Sequence, residues 1–399
     1  MAKILISSLG TGKKEDGAYK KAKYQLLNRN IYETSFIADA LSQELSIDKL
    51  FLVGTNKSIW DEAYITFGGN DSNYHEKLFE KKEKGLIQID DLIEFEKLKQ
   101  NKIKSFTIDY GLNEDEIWNN FEKFLKIADY IEDGDELYLD ITHSFRSLSL
   151  MSFVMTQFAS SISDKKFKIC GVYYGMFEYS FENNGITPIV NIQILLEIQE
   201  WIKAIDAIKK YSDFDPIVEF LEKEDDIENG INKTFIQLNN TLNIANLSAL
   251  ELFIKSAAKK IKTIEESNNK IVKLLAPEII KLVNHLNHEK KSNFQYNLAK
   301  WFYKNKNYAL SYLALYESII SKSCEFKDFD VNDHQSREIA KKSIGNDKYG
   351  KFFYTKYEDS ISQIRNAIAH QNNDRKDYVT QDINRLKSFL DTFEKYIYT

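Results

Sequence analysis

The chain has 399 residues, a formal net charge of −6 and two cysteines. That length implies two or more domains whose cores need no disulfide or metal staple. Cys170 and Cys324, far apart in sequence, read as buried thiols of a reducing cytoplasm. The acidic balance excludes a protein that coats nucleic acid over its whole surface, though not one with a small basic cleft.

The first half alternates strand and helix patterns. The apolar run at the start, Met1 to Ile6, is too short for a signal peptide, and Lys3 to Leu9 reads as an apolar strand ending in Gly10-Thr11-Gly12. Ile31 to Leu45 reads as a helix, Asp48 to Val53 as a second strand, and Glu114 to Tyr130 as a helix with Ile117, Phe121, Phe124, Leu125 and Ala128 at helical spacing. Glu136 to Ile141 is a strand, Leu148 to Ser161 an apolar helix, and Phe167 to Tyr174 a further strand. This alternation predicts α/β architecture: a parallel, Rossmann-like sheet with helices on both faces.

Near residue 190, after Pro188, the pattern becomes almost wholly helical. Ile192 to Lys210, Ser248 to Glu266, Ala309 to Cys324 and Phe352 to His370 are the clearest helices, with loops expected around Asp213 and Asn239. The fold class is therefore α/β plus all-α, divided into residues 1–190 and 191–399. No run reaches the length of a membrane span, so a soluble cytoplasmic protein is expected.

Ligands of open α/β sheets collect beyond the carboxyl ends of the strands, at the topological switch point. Two strand ends carry unusual polar content. The first, Ser7 to Lys14, is not a dinucleotide fingerprint, because Glu15 stands where a small residue is needed, and it lacks the Gly-Lys-Ser/Thr of a Walker A loop. It offers backbone N–H groups, hydroxyls and Lys13 and Lys14 to an anion. An ordinary glycine turn with solvated lysines gives the same sequence. The second, Asp140-Ile141-Thr142-His143-Ser144-Phe145-Arg146-Ser147, runs from an acidic strand end into an apolar helix. Its Thr, His and Arg side chains suit a phosphate or a base at a helix N-terminus. A histidine that only braces the loop is the plainer alternative for His143.

Near the C-terminus, Arg365-Asn366-Ala367-Ile368-Ala369-His370 joins a rigid cationic fork to a residue that titrates near neutrality. Such a pair can move a proton and steady developing phosphate charge without a metal. A surface Arg and a helix-end His that favours the dipole would look the same. On a helical wheel, Ile361, Ile364 and Ile368 share a face, read as the core stripe. Asn366 and His370 fall on the opposite face, Arg365 on the flank, and Ala367 and Ala369 leave room for a neighbouring helix. A two-fold axis there would gather two such pairs around one phosphate. His285 and His288, three apart on an expected helix, have no third ligand at zinc spacing and read as surface residues; no metal or other cofactor is expected.

Taken together, these segments resemble a known family arrangement. Ile6 to Gly12, Val53-Gly54-Thr55, Asp140 to Ser147, Gly171 to Gly175, and the spacing of Tyr19, Ala22, Tyr24 and Glu33-Thr34 resemble the CARF domain, the CRISPR-associated Rossmann fold, over roughly the first 180 residues. Arg365 to His370 resembles the R-x4-H signature of HEPN ribonucleases, whose core would occupy roughly residues 295–399. CARF followed by HEPN is the order found in the ancillary ribonucleases of type III CRISPR systems. The resemblance implies a homodimer that binds a cyclic oligoadenylate as allosteric activator and cuts single-stranded RNA to 2′,3′-cyclic phosphate ends. It implies Arg365, His370 and Asn366 as catalytic residues, and Gly10, Thr11, Gly12, Lys13, Thr142, His143, Ser144 and Arg146 as the messenger site. Competing readings are a ligand-controlled regulator without catalysis and a HEPN ribonuclease without a messenger. Slow cleavage of the ring by the CARF half is a further reading that the sequence leaves open. Residues 195–300 carry no recognisable motif.

Overall fold

The computed structural model describes every residue except 13, 16–17, 27–28, 144–145, 212, 223–230, 268–269, 348–349, 354–359, 371–377 and 399. The chain divides into two compact units, Met1–Glu197 and Ile198–Thr399.

The first unit is built on an eight-stranded sheet. Its strands are β1 (Lys3–Leu9), β2 (Ala22–Leu26), β3 (Ile31–Thr34), β4 (Lys49–Gly54), β5 (Ile103–Thr107), β6 (Glu136–Asp140), β7 (Lys168–Gly175) and β8 (Ile186–Asn191). They lie in the order β3-β2-β8-β7-β6-β1-β4-β5. The five strands from β7 to β5 are mutually parallel. β8 then pairs antiparallel to β7, β2 parallel to β8, and β3 antiparallel to β2. The parallel core matches expectation, and the β8-β2-β3 extension is an addition that periodicity did not show.

Alternating apolar side chains of the central strands feed two cores, one on each sheet face. Leu5, Leu50, Leu52 and Tyr138 join one cluster with Ile37, Leu41 and Trp60. Ile4, Ile6, Phe51, Leu137 and Leu139 join the other with Phe124, Ile127 and Phe153. A parallel sheet covered on both faces needs this near-continuous apolar sequence. The covering helices are α1 (Ile37–Leu45), α2 (Trp60–Thr66), α3 (Ser72–Lys84), α4 (Glu114–Ile127) and α5 (Arg146–Ile162). The expected helix from Ile31 to Leu45 is corrected: its first residues form β3, because Ile31 to Thr34 find backbone partners on β2 across a hairpin, and the helix starts at Ile37.

The second unit is all-helical among the described residues. Its principal helices are α6 (Ile194–Tyr211, which begins before the division), α7 (Asp215–Glu222), α8 (Ile231–Asn243), α9 (Leu247–Lys259), α10 (Lys270–Leu286), α11 (Lys291–Lys304), α12 (Tyr308–Phe326), α13 (His334–Ser343), α14 (Ile361–His370) and α15 (Val379–Ile397). Asn239, expected in a loop, lies in α8, where its side chain donates to Asp215. The helix expected from Ser248 to Glu266 breaks at Lys260, and that from Phe352 to His370 is a short Gly350–Phe353 turn and α14, with residues between them undescribed. A single core runs through the unit and includes Phe294, Tyr296, Leu298, Phe302, Leu315, Ile319, Ile361, Ile364, Leu386 and Phe393. Cys324 is buried as expected, whereas Cys170 is only partly covered.

Candidate functional site

Strand order reverses at β1. From β1 the chain first forms the β2–β3 hairpin at the far edge, then adds β4 and β5 on one side of β1, and afterwards β6 and β7 on the other. The carboxyl ends of β1 and β6 therefore flank the switch point, where the polypeptide leaves a natural crevice. A cavity of about 410 Å³ opens there. Gly10, Thr11 and Gly12 from the end of β1, Thr55 and Ser58 after β4, Thr142 and His143 after β6, and Tyr174 and Gly175 at the end of β7 line it.

Glycine is required at two of these positions. Gly12 has φ +66°, and a Cβ there would come within 2.9 Å of both Ile59 and Tyr19 side chains. A Cβ on Gly175 would lie 2.9 Å from Ile37 Cδ1 and 3.1 Å from Thr142 Cγ2. Local hydrogen bonds fix the rims. Ser58 Oγ donates to the Leu9 carbonyl at 2.7 Å, and the Ile59 amide donates to the Gly10 carbonyl at 3.0 Å.

The loop after β6 is held from below. Asp140, buried at the strand end, accepts the Ser7 hydroxyl at 2.5 Å and the Thr142 amide at 2.9 Å. The Gly175 amide donates to Thr142 Oγ1 at 2.8 Å, so this hydroxyl ties the loop to β7 before any ligand arrives. The Tyr24 hydroxyl lies 2.9 Å from His143 Nε2, with the two rings edge to face. Burial pushes the Asp140 carboxyl up and the His143 imidazole down, each opposed by the charge of the other. A neutral imidazole that accepts the phenol proton at Nε2 carries its own proton on Nδ1. Ser7, Asp140 and Tyr24 stand within the motifs read from the sequence but were given no role there; they are structural members of the site. The available signal was a pair of hydroxyls and a carboxylate inside otherwise apolar strands.

A second polar group stiffens the cavity wall. Tyr19 donates to Asp61 Oδ2 at 2.8 Å and accepts from Lys82 at 2.5 Å. Asp61 and Lys82 are both buried, and burial together with Asp61 raises the Tyr19 phenol far above its usual range. The Tyr19 ring is therefore presented to the cavity by a fixed hydroxyl.

Of the residues expected to form the ligand site, Gly10, Thr11, Gly12, Thr142 and His143 meet around this cavity. Lys13 and Ser144 lie outside the described residues, and Arg146 is described only as the first residue of α5.

The other candidate group lies in the second unit. Ser360 starts α14 with a reciprocal cap: its hydroxyl accepts the Gln363 amide at 3.3 Å while Gln363 Oε1 accepts the Ser360 amide at 3.4 Å. Ile361 and Ile364 are fully buried and anchor the helix, but Ile368, expected in the same core stripe, is 42 % exposed. The helix projects its last turn beyond the core it packs on, so the stripe ends one turn early. Asn366, Ala369 and His370 are exposed as expected. Arg365 is half-buried: its Nη1 donates to Asn366 Oδ1 at 3.1 Å, and its Cζ lies 5.1 Å above the centre of the Tyr316 ring. The C-terminal turns of α14 thus carry a cation, an amide and an imidazole, with an uncovered isoleucine on the opposite side. His285 closes α10 and His288 lies beyond it, where its Nε2 meets the Asn297 amide at 2.9 Å. Among the described residues no three His, Cys, Asp or Glu side chains converge as a metal-ligand set. No helix among them is long and apolar enough to cross a membrane.

Residues 4–178 match the family model described as the CARF domain of the CRISPR system endoribonuclease Csx1. The first unit is a CARF domain. The switch-point cavity lies wholly within that matched CARF segment. Residues 197–293, which carried no motif, match the model of the second domain of CRISPR-associated protein MJ1674. The chain is 31% identical to CRISPR-associated protein MJ1674 of Methanocaldococcus jannaschii, across 94% of this chain. It spans 63% of the length of that relative. Residues 4–178 are thus similar to a CARF domain, and residues 197–293 to the second domain of a CRISPR-associated protein. A solved structure of Enterococcus italicus Csm6 bound to cyclic hexa-2′-fluoro-hexa-dAMP aligns with 98% of this chain and 93% of that one, at 13% identity and a TM-score of 0.38. That likeness is too low to bear on either site.

Proposed function

We propose that the chain is a cyclic oligoadenylate-activated endoribonuclease of type III CRISPR defence. The observation that carries the sensing half is the cavity at the CARF switch point, with hydroxyls, backbone amides and one neutral-leaning imidazole around it. Such a lining suits a ligand with phosphates and bases, and a ring with two-fold symmetry would be held by two copies. An apolar stripe on α5 supports pairing: Leu150, Val154, Phe158 and Ile162, at four-residue spacing, are 45–65 % exposed. These residues follow directly from the loop that lines the cavity, and apolar exposure of this extent marks an interaction face.

The cutting half rests on α14. RNA carries its own nucleophile, so the site must only move protons and steady charge. The 2′-hydroxyl loses its proton and attacks the adjacent phosphorus, and the bond to the 5′-oxygen breaks. The products are a 2′,3′-cyclic phosphate and a 5′-hydroxyl that takes up a proton. His370 transfers or orients the proton, Arg365 neutralises the phosphorane oxygens, and Asn366 aligns Arg365. Exposed Ile368 beside Ala367 and Ala369 supports a two-fold contact that joins two such sets into one site.

The decisive experiment compares RNA and DNA cleavage with no ring and with tri-, tetra- and hexa-adenylate rings, each with and without excess EDTA. RNA should be cut only with a ring present, in EDTA as in buffer, with DNA spared. No response to any ring removes the sensing role. Loss in EDTA with recovery on adding a divalent ion removes the metal-free mechanism.

A further inference from the structure

The proposed cutting site needs Arg365 to keep its fork in one orientation, and α14 alone cannot do this, because the long side chain leaves a helix flank with several free rotors. Three observations indicate what restrains it. The guanidinium carbon stands 5.1 Å over the ring of Tyr316 on α12. Tyr316 is itself fixed: it is 5% exposed and stacks on the fully buried Phe353 with ring centres 5.0 Å apart at 21°. Arg365 Nη1 is tied to Asn366 Oδ1, whereas the buried Nε has no partner among the described residues.

A cation over an aromatic face is attracted by the ring quadrupole and needs no oxygen acceptor to hold it. This contact therefore restrains the cation without consuming the donors that a phosphate needs. A carboxylate partner would restrain it equally well, but would neutralise the charge and occupy the fork. The unpartnered Nε fits the same picture, because the group is held for its charge and orientation rather than saturated with acceptors.

We propose that Tyr316 is the positioning residue of the RNA-cleaving site, a rigid aromatic shelf backed by Phe353 that aims Arg365 at the scissile phosphate. The inference rests on the catalytic reading of Arg365, and its test separates the two. Rates of RNA cleavage are measured on the full chain with its activating ring, for Tyr316→Leu and Tyr316→Phe, each in the native and the Arg365→Ala background. Tyr316→Leu should lower kcat by about 10-fold, the scale of a desolvated cation–π contact, with little change in KM. Tyr316→Phe, which keeps the ring face, should restore most of that loss. In the Arg365→Ala background, Tyr316→Leu should cost nothing further, because two residues acting through one interaction are not additive.

Equal losses in both backgrounds would reduce Tyr316 to packing and overturn the proposal. So would a normal kcat in Tyr316→Leu. A normal rate in Arg365→Ala would instead remove the catalytic reading on which the proposal stands. Should Tyr316→Leu fail to fold, the Arg365 Hε resonance decides in the native chain. A ring-current displacement that persists in Tyr316→Phe supports the shelf, and a random-coil position refutes it.

Discussion

Replacing Ser7 with alanine tests the foundation of the CARF cavity with one oxygen atom. The Ser7 hydroxyl gives a 2.5 Å hydrogen bond to the Asp140 carboxylate, and the two residues are 1% and 2% exposed. Neither lines the cavity and both are buried, so solvent has little access to replace the lost donor. The cost should then be that of a hydrogen bond to a buried charge, about 1.5–3 kcal/mol. Asp140 also accepts the Thr142 amide, which makes that amide a direct reporter. At 1.4 kcal/mol per factor of ten, its hydrogen exchange should accelerate about 10- to 150-fold, while exchange in the helical unit stays unchanged. Burial raises the Asp140 carboxyl, and loss of the Ser7 donor raises it further. Between the ordinary and the raised value, the folded state holds a proton that the unfolded state has lost. This group's contribution to stability therefore falls as pH rises through that window. Protonated Asp140 has less need of Ser7, so the Ser7→Ala penalty should be larger at neutral pH than in mild acid. The same substitution should raise the ring concentration needed for activation, because the Thr142–His143 loop loses its anchor. A change below about 0.5 kcal/mol at neutral pH, with unaltered Thr142 exchange, would show that Asp140 does not depend on Ser7 and refute the reasoning.

Further outcomes follow from the same geometry. His143 is kept below its ordinary value of 6.5 by burial, so the unfolded chain takes up the proton first. Stability of the CARF unit should therefore fall as pH drops below that value, and a His143→Gln variant should lose that part of the slope in pH-dependent denaturation. Gly12→Ala places a Cβ at φ +66° against Ile59 and Tyr19 and should destabilise by at least about 1–2 kcal/mol; an unchanged denaturation midpoint would mean that the loop relaxes freely. Arg365→Ala and His370→Ala should each slow RNA cleavage by about 10²-fold or more while leaving ring binding intact, as read by calorimetry. Phe158→Glu on α5 and Ile368→Glu on α14 should each weaken self-association in sedimentation, and a dimer unaffected by both has its interface elsewhere.

The sequence alone determined the parts of this protein that local chemistry controls. β1, β4, β6 and β7 are legible because a strand covered on both faces must be apolar along its length, whatever surrounds it. The polar strand ends at Gly10 and Thr142 are legible as the rims of a cavity because that is where such a sheet opens. The amphipathic pattern of α14 places Ile361 and Ile364 inward and Asn366 and His370 outward without reference to the rest of the chain. Tertiary structure decided whatever depends on a distant partner. Ile31 to Thr34 became a strand because β2 offered backbone bonds, overriding a helical pattern continuous with α1. Asn239 lies within α8, with its amide side chain donating to Asp215 on the neighbouring helix. Ile368 emerged into solvent because the core beneath α14 ends before the helix does. Ser7 and Asp140, 133 residues apart, and Tyr24 and His143, 119 apart, meet only when the sheet assembles, and Arg365 finds the Tyr316 ring only when α12 and α14 pack. Periodicity records what a residue's neighbours along the chain require; it holds no trace of a contact whose partner is set by the order of strands or the crossing of helices.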